Sequence, residues 1–477
     1  MFELLDPELE ELARQVLSRH IAFERSEWSE ASLAVHQVTQ LRATVAHVIH
    51  GSPFYQRHLG VALGGQSIDE LDLDNVQRLP FTTKDDLRAN GLDVLSRPVS
   101  SAWIFYETTG TTGRSTPCPR DNVDTTLSNT ALTVNYADVL AQHRRPQIVG
   151  VMGPTELHST GDAFGEVFRN LGQCVVKMWP HSPVVGFRRA LEVMDEIGVT
   201  ALVCTPGMAM SLARAAIEEG RRPETDFDLD FIMVVGELVS PALLTNIGSI
   251  WSTAVYNCMY ASQEASIMAA IRGDGRLRTI PLNNFYEVVD PQTGERVKAD
   301  GSGERVGELV VTHLFQGCKP LIRYRTGDLV RLQPAAAGVA YPSEIMIPLG
   351  RTRDGVRIGP GRYSAYDLEQ AVLEDVVGCY GYQIVIDAPD GADMVRVVLE
   401  FIDDRAAAAF DTNLYRERLT KFLGLKPHVE VGSLGTIVTT GAMVSWKASR
   451  VHDKRVEDDL ERRAALAIAR QRDGSGR

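Results

Sequence analysis

Cysteine is scarce and dispersed. The six residues, at 118, 174, 204, 258, 318 and 379, form no CxxC pair, and no histidines stand at ligand spacing near them. That disfavours a disulfide-stapled scaffold and a zinc site, and suits a cytoplasmic protein with reduced thiols. No apolar run approaches the roughly 20 residues needed to cross a bilayer. The opening MFELLDPELEELARQ lacks a basic start followed by an apolar stretch, so no secretory leader is expected. Positive charge is not in excess. With 49 Lys and Arg against 62 Asp and Glu, the net charge is -13, which argues against non-specific attraction to nucleic acid or anionic lipid. There is no internal repeat, and no low-complexity tract beyond short alanine runs. A Walker loop with its Gly-Lys-Ser/Thr ending is missing. So is a GxGxxG after a strand with a later acid, which speaks against a Rossmann oxidoreductase.

What is present is ordinary globular material. Hydrophobic residues make up 44% and charged residues 23% of 477, enough for a large core and roughly two to four domains. Residues 1–60 read as helices, with Leu41, Val45, Val48 and Ile49 at helical spacing. In LPFTTKDDLRAN, Thr82 or Thr83 is expected to cap a helix starting near Lys84. From about 100 to 345, short β-branched runs alternate with helical stretches. The runs are IVGVMG (148–153), CVVKMW (174–179), ALVCTP (201–206) and FIMVVG (231–236). The alternation predicts a mainly parallel sheet covered by helices, with ligands at one edge. Near 350 the chain turns dense in Gly and Arg. A small α+β domain of about 100 residues follows, and the tail after Val451 reads as a charged helix.

The strongest local signal is Thr108-Thr109-Gly110-Thr111-Thr112-Gly113-Arg114-Ser115-Thr116. Glycines let a backbone approach phosphate closely, and amides and hydroxyls donate to its oxygens. Arg114 adds a bidentate cation. A polar surface loop is the plain alternative. The segment resembles the phosphate loop of the adenylate-forming acyl-CoA ligases, usually Ser-Gly-Thr-Thr-Gly-Lys, with Arg114 where Lys is common.

Four further segments resemble the same family in the same order. Tyr260-Ala261-Ser262-Gln263-Glu264 is similar to Tyr-Gly-x-Thr-Glu, which implies that Tyr260 packs near adenine and Glu264 holds Mg²⁺. One carboxylate suffices for an ion bound mostly by phosphates and water. Arg323-Tyr324-Arg325-Thr326-Gly327-Asp328 contains the family's Tyr-Arg-Thr-Gly-Asp in full, and Asp328 would accept from both ribose hydroxyls. Gly350-Arg351-Thr352-Arg353-Asp354 resembles the Gly-Arg-x-x-Asp hinge. The resemblance puts Arg351 near the nucleotide and Arg353, where Asp or Lys is more usual, at the pivot beside Asp354. Downstream, Gly359, Gly361 and Glu369 keep the family's spacing. Ser445-Trp446-Lys447-Ala448-Ser449-Arg450 resembles Ser-Gly-Lys-x-x-Arg, with Trp446 in place of Gly. Lys447 would then bridge the attacking carboxylate and the α-phosphate, stabilising charge as it develops.

The early segments Ser52-Pro53-Phe54-Tyr55 and Leu79–Leu87, with Thr205–Ala209 and Gly236-Glu237, look like those of phenylacetate–CoA ligases. Gly236 and Glu237 would flank the adenine and acid pockets. The resemblance implies an α/β fold with a large multi-sheet N-terminal domain (1–349), a hinge (350–355) and a smaller mobile α+β C-terminal domain (356–477).

The implied reaction is ATP-dependent, Mg²⁺-assisted activation of an aryl or arylacetic acid as acyl-adenylate, followed by transfer to CoA. The resemblance makes Lys447 and Arg114 the catalytic cations. Tyr136, Met152, Phe164 and Ala261 are candidate acid-pocket walls, with Trp179 beside them. For Tyr136, Met152, Phe164 and Trp179 a place in the core is the plainer expectation. A carrier-protein thiol, an amine or another nitrogen nucleophile is the alternative acceptor. A non-catalytic ATP-binding protein is a third reading, disfavoured by the intact Glu264, Asp328 and Lys447. A homodimer is left open.

Overall fold

The computed structural model describes residues 7–64, 67–108, 115–335, 342–389, 391–437 and 446–455. The chain forms two compact units that it visits alternately. One holds Met1–Arg144, Pro154–Gly172 and Met259–Ile347, and the other Arg145–Gly153, Gln173–Cys258 and Pro348–Arg477. The boundary at Ile347/Pro348 adjoins the expected hinge. Among the described residues no helix is long and apolar enough to cross a membrane, and none of the six cysteines forms a disulfide.

The first unit opens with the expected helices, Pro7–Glu24, Glu30–Gly51 and Pro53–Leu63. Ser29 and Ser52 cap the second and third, and Pro53 occupies a first-turn position that needs no amide proton. Thr83, not Thr82, caps Lys84–Asn90. Its hydroxyl accepts from Asp86 N while the Asp86 carboxylate accepts from Thr83 N, a reciprocal capping box. Thr82 is buried instead and donates to Ile322 O at 2.7 Å.

The parallel sheet expected from 100 to 345 stops at Asn257. From Met259 a seven-stranded sheet takes over, and its described pairings are antiparallel. Among the described residues no helix lies between its strands. Short turns can join only antiparallel neighbours, whereas a parallel pair needs a long crossover.

Arg323, the residue just before the Tyr-Arg-Thr-Gly-Asp segment, is structural. Its backbone is left-handed at φ 46, a conformation costly for a side chain of this size. Its guanidinium is buried against Glu287 at 3.0 Å and donates to Gln77 O and Leu79 O. It also lies 4.1 Å from the Phe81 ring centre. Removing Arg323 takes a charged donor from buried Glu287, which keeps Arg296 at 2.8 Å, and from the Gln77 and Leu79 carbonyls. Arg323→Met is therefore expected to destabilise the protein by about 2–3 kcal/mol in urea unfolding, the cost of losing hydrogen bonds to a charged group. A midpoint equal to wild type would refute this role.

The second unit contains the five-stranded parallel sheet. Its order is Cys174–Lys177, Ile148–Val151, Ala201–Cys204, Phe231–Val234, Ala254–Asn257. Helices Gly186–Glu196, Pro206–Glu218 and Pro241–Trp251 alternate with these strands. Its C-terminal part carries helices Ala365–Leu373 and Thr412–Leu423 on a sheet of Cys379–Asp387, Met394–Phe401 and His428–Ser433. The tail was expected to be helical after Val451. Instead Val451–Asp453 is a strand, parallel to Cys379–Asp387, and the tail from 456 lies outside the described residues.

One apolar core runs from Met208 and Trp251 under the parallel sheet to Tyr382, Leu399 and Trp446. Polar contacts fix its register. Arg214 meets Glu400 at 2.7 Å, and Asn246 exchanges two hydrogen bonds with the backbone of Cys379.

Candidate active site

In the first unit, the strand Ile104–Glu107 leads into the hydroxyl-rich loop, and Pro117–Arg120 leads out, paired antiparallel to it. Thr108 N donates to Thr116 O at 3.1 Å, and Thr116 N donates to the Thr108 hydroxyl at 2.9 Å. The two ends of the loop are thus stapled together. Thr109, Gly110, Thr111, Thr112, Gly113 and Arg114 lie outside the described residues.

Arg120 then reaches across to the turn bearing Glu264, donating to Ser266 Oγ at 2.8 Å and Gln263 O at 3.3 Å. The Gln263 side chain accepts from Ser159 Oγ at 2.5 Å and donates to Glu107 O at 3.4 Å. Gln263, where the family usually has Thr, therefore braces the Glu264 turn against the strand that starts the loop.

The sheet brings three expected residues together. Tyr260 lies on Met259–Ser262 and Asp328 on Tyr324–Gln333. The Tyr260 hydroxyl donates to Asp328 Oδ2 at 2.6 Å, fixing the carboxylate that would hold ribose. Glu264, 7% exposed, accepts from the Tyr324 hydroxyl at 3.0 Å and meets Lys84 Nζ at 3.0 Å.

Burial pushes the Glu264 carboxyl up. The Lys84 ammonium, its own backbone amide and Lys319 outweigh that, and it titrates below the usual carboxylate value. Burial, and then the Glu264 charge, raise the Tyr324 phenol well above its usual value, so it remains a donor. The site thus offers one buried, ionised carboxylate, which fits a Mg²⁺ ion carried mainly by phosphates.

Lys84 and the Tyr324 hydroxyl were not anticipated. A signal for Lys84 was nonetheless present. It occupies the first turn of its helix, where the dipole disfavours a cation, and so needs another reason to be there.

Ala261 is half-buried and pairs with Ile267. Tyr136 and Phe164 are fully buried; Phe164 stacks on both Tyr136 and Phe168, whose rings are tilted to each other, and all three ring centres lie within 6.4 Å. A further buried cluster, Asp121, Asp124 and Cys318, serves as a helix cap. Asp121 accepts from the amides of Val123 and Asp124, and Asp124 accepts from those of Asp121 and Cys318.

The second unit carries the remaining candidates. Gly236 follows the strand Phe231–Val234 with φ 86, a conformation open to glycine and strained for other residues. Glu237 Oε2 accepts from Gly207 N at 3.1 Å, at the start of helix Pro206–Glu218. A carboxylate there complements the helix dipole. Arg351 is exposed at the end of Ile345–Arg351. Arg353 is also exposed, beside the buried Asp354. Met152 and Trp179 belong to the core of this unit or pack against it. Lys447 is half-buried on the short helix Trp446–Arg450.

No protein-family model matches the chain. Curated relatives do. The chain is 26% identical over 440 residues to phenylacetate–coenzyme A ligase of Pseudomonas putida, covering 89% of this chain and 95% of that protein. It is 27% identical over 422 residues to the Thermus thermophilus enzyme of the same name, covering 83% and 84%. Among solved structures, 2-hydroxyisobutyryl-CoA ligase in its postadenylation state, bound to an acyl-AMP, aligns with a TM-score of 0.72 at 22% identity, covering 93% of each chain. The same ligase in its thioesterification state aligns at 0.58. The fold is that of the adenylate-forming ligases. The resemblance to phenylacetate–CoA ligases extends over most of the chain, and the adenylate-forming fold accounts for both the parallel sheet and the antiparallel one that follows it.

The Lys84–Glu264 pair makes a signed prediction. In wild type the folded carboxyl titrates below its ordinary 4.5. The pair thus stabilises the fold above that pH, and the contribution is lost as pH falls through the folded value. In Lys84→Met, burial loses its main opponent and the folded value rises. Stability should then be lost as pH rises from about 4 to 7, the reverse slope. Urea midpoints across that range test it, and parallel pH profiles for the two proteins would disprove it.

Proposed function

We propose that the protein joins a carboxylic acid to AMP and then passes the acyl group to CoA. The contact that carries this reading is the Tyr260–Asp328 bond beside the ionised Glu264, since it presents a ribose-type acceptor and a metal-type ligand on one sheet. The relatives named for phenylacetate support an aryl or arylacetic acid as substrate. A CoA-bound complex of the 2-hydroxyisobutyryl ligase supports CoA as acceptor.

In this reading a carboxylate oxygen of the acid attacks the α-phosphorus of ATP. The bond to the β-bridging oxygen breaks, and pyrophosphate leaves with the electron pair. The acyl-adenylate then has a good leaving group. The CoA sulfur bonds to the acyl carbon, AMP departs and the thiol proton goes to solvent.

The chain must screen a carboxylate from a triphosphate. Thr108–Gly113 and Arg114 would hold the phosphates, and Lys447 would bridge acid and α-phosphate. Asp328 would take the ribose, Gly236, Glu237 and Tyr260 the adenine side, and Arg351 would lie near the nucleotide. Glu264 would hold Mg²⁺, which supplies further charge screening when bound. Ala261, on the strand of Tyr260, would meet the acid. Tyr136, Met152 and Phe164 would serve as packed walls. Residues 356–477 would then turn about Arg353 and Asp354 to withdraw Lys447 before CoA attacks. Reduced thiols and a CoA cosubstrate suit a cytoplasmic enzyme.

Pyrophosphate release over a panel of aryl acids, with and without CoA, tests the reading. Acid-dependent release with CoA thioester as product is expected. Lys447→Ala should slow adenylation by roughly 10²–10³-fold, as for other positioned charge-stabilising donors. Failure of every acid to release pyrophosphate rules out adenylation. Release without thioester, but with product from an amine or a carrier-protein thiol, transfers the second step to that acceptor.

A further inference from the structure

Trp446 is the largest departure from the family pattern, standing where glycine is usual and directly before Lys447. Its helix, Trp446–Arg450, has five residues. A helix that short does not hold its shape by backbone bonds alone, so side-chain contacts must fix Lys447 in place.

Those contacts converge on one carboxylate. Glu369 is 1% exposed. The Trp446 indole N–H lies 3.1 Å from Glu369 Oε2 and 2.9 Å from the Tyr382 hydroxyl. That hydroxyl donates to the same Oε2 at 2.7 Å. Arg450, at the other end of the short helix, sits 4.8 Å from the Tyr382 ring centre. The ring and its hydroxyl are thus gripped at both ends of the Lys447 helix.

The other Glu369 oxygen, Oε1, accepts from Ser240 N at 2.9 Å, and Gln370 Oε1 accepts from Ala242 N at 3.0 Å. Ser240 caps helix Pro241–Trp251 and closes the connection that begins at Gly236 and Glu237. A single buried carboxylate therefore joins the segment bearing the adenine-side candidates to the helix bearing Lys447. Glycine at 446 would have no side-chain donor for it.

We propose that Trp446 is a positioning residue for adenylation, holding Lys447 in register with the Gly236–Ser240 segment through Glu369. The proposal rests on the adenylation reading of Lys447. It also divides the contacts in two. The Trp446–Tyr382–Glu369 contacts lie wholly within residues 356–477 and travel with them. The Ser240–Glu369 bond joins that part to the parallel sheet and must break if the part turns. Trp446 then matters to the first half-reaction, not the second.

The test uses Trp446→Phe, which keeps an apolar ring and deletes the indole N–H, beside Trp446→Gly, which restores the family residue. Losing a hydrogen bond to a charged group predicts a fall of about tenfold or more in the acid-dependent pyrophosphate rate, in kcat rather than in KM for ATP. The rate of thioester formation from added acyl-adenylate and CoA should stay at the wild-type level. In a Lys447→Ala background the Phe substitution should cost nothing more, because two residues acting as one are not additive.

Labelling of lysines by acetic anhydride, read by mass spectrometry, reports position without activity. Lys447 should label faster in both Trp446 variants, with Lys84 and Lys319 unchanged. An unchanged pyrophosphate rate with unchanged Lys447 labelling overturns the proposal. So does an equal loss in the Lys447→Ala background, which marks a purely structural role. If wild type releases no pyrophosphate with any acid, the adenylation reading fails by itself, and the labelling pattern still shows whether Trp446 holds Lys447.

Discussion

A carboxylate sealed from water must be given charge or donors, and this constraint organises both units. Glu264 is nearly excluded from solvent and remains ionised because the Lys84 ammonium, its own backbone amide and Lys319 outweigh the burial, while the Tyr324 hydroxyl donates to it. Burying a lone charge would cost several kcal/mol even after relaxation. The segments that supply its partners are consequently tied together: the helix start at Lys84, the strand at Tyr324 and the turn at Glu264. The same logic holds Glu287 against Arg323 and Glu400 against Arg214.

The parts of the site that were legible in the sequence are contiguous strings. Tyr260, Glu264 and Asp328 each sit inside a short motif, and the antiparallel sheet brings those motifs side by side. What was not legible depends on distant partners. Nothing near Lys84 announces Glu264, and nothing near Arg323 announces Glu287. The unfavourable dipole position of Lys84 was the one local hint. Trp446 was visible as a departure, but its use was not, because Glu369 and Tyr382 meet it only in three dimensions.

The fold was legible to a similar depth. Alternation of strand and helix revealed the four strands of the parallel sheet from Ile148 to Val234, since each of them is followed by a helix long enough for a crossover. Past Met259 the apolar runs persist while the helices vanish, and connection length, not apolarity, decides strand direction. The three residues Val451–Asp453 were hidden by their charged surroundings. Their strand is set by pairing with Cys379–Asp387, which no local propensity encodes.

The shared core of the second unit bears on how the chain can be handled. Helices Pro206–Glu218 and Pro241–Trp251 bury Met208, Leu212, Leu243 and Ile247 in the same apolar body as Tyr382, Leu399 and Trp446. A fragment ending near residue 349 would leave that greasy face bare, and bare faces of this kind drive self-association. Crystallisation or binding work on the large part alone should expect aggregates, and a covering surfactant or the intact chain would be the remedy.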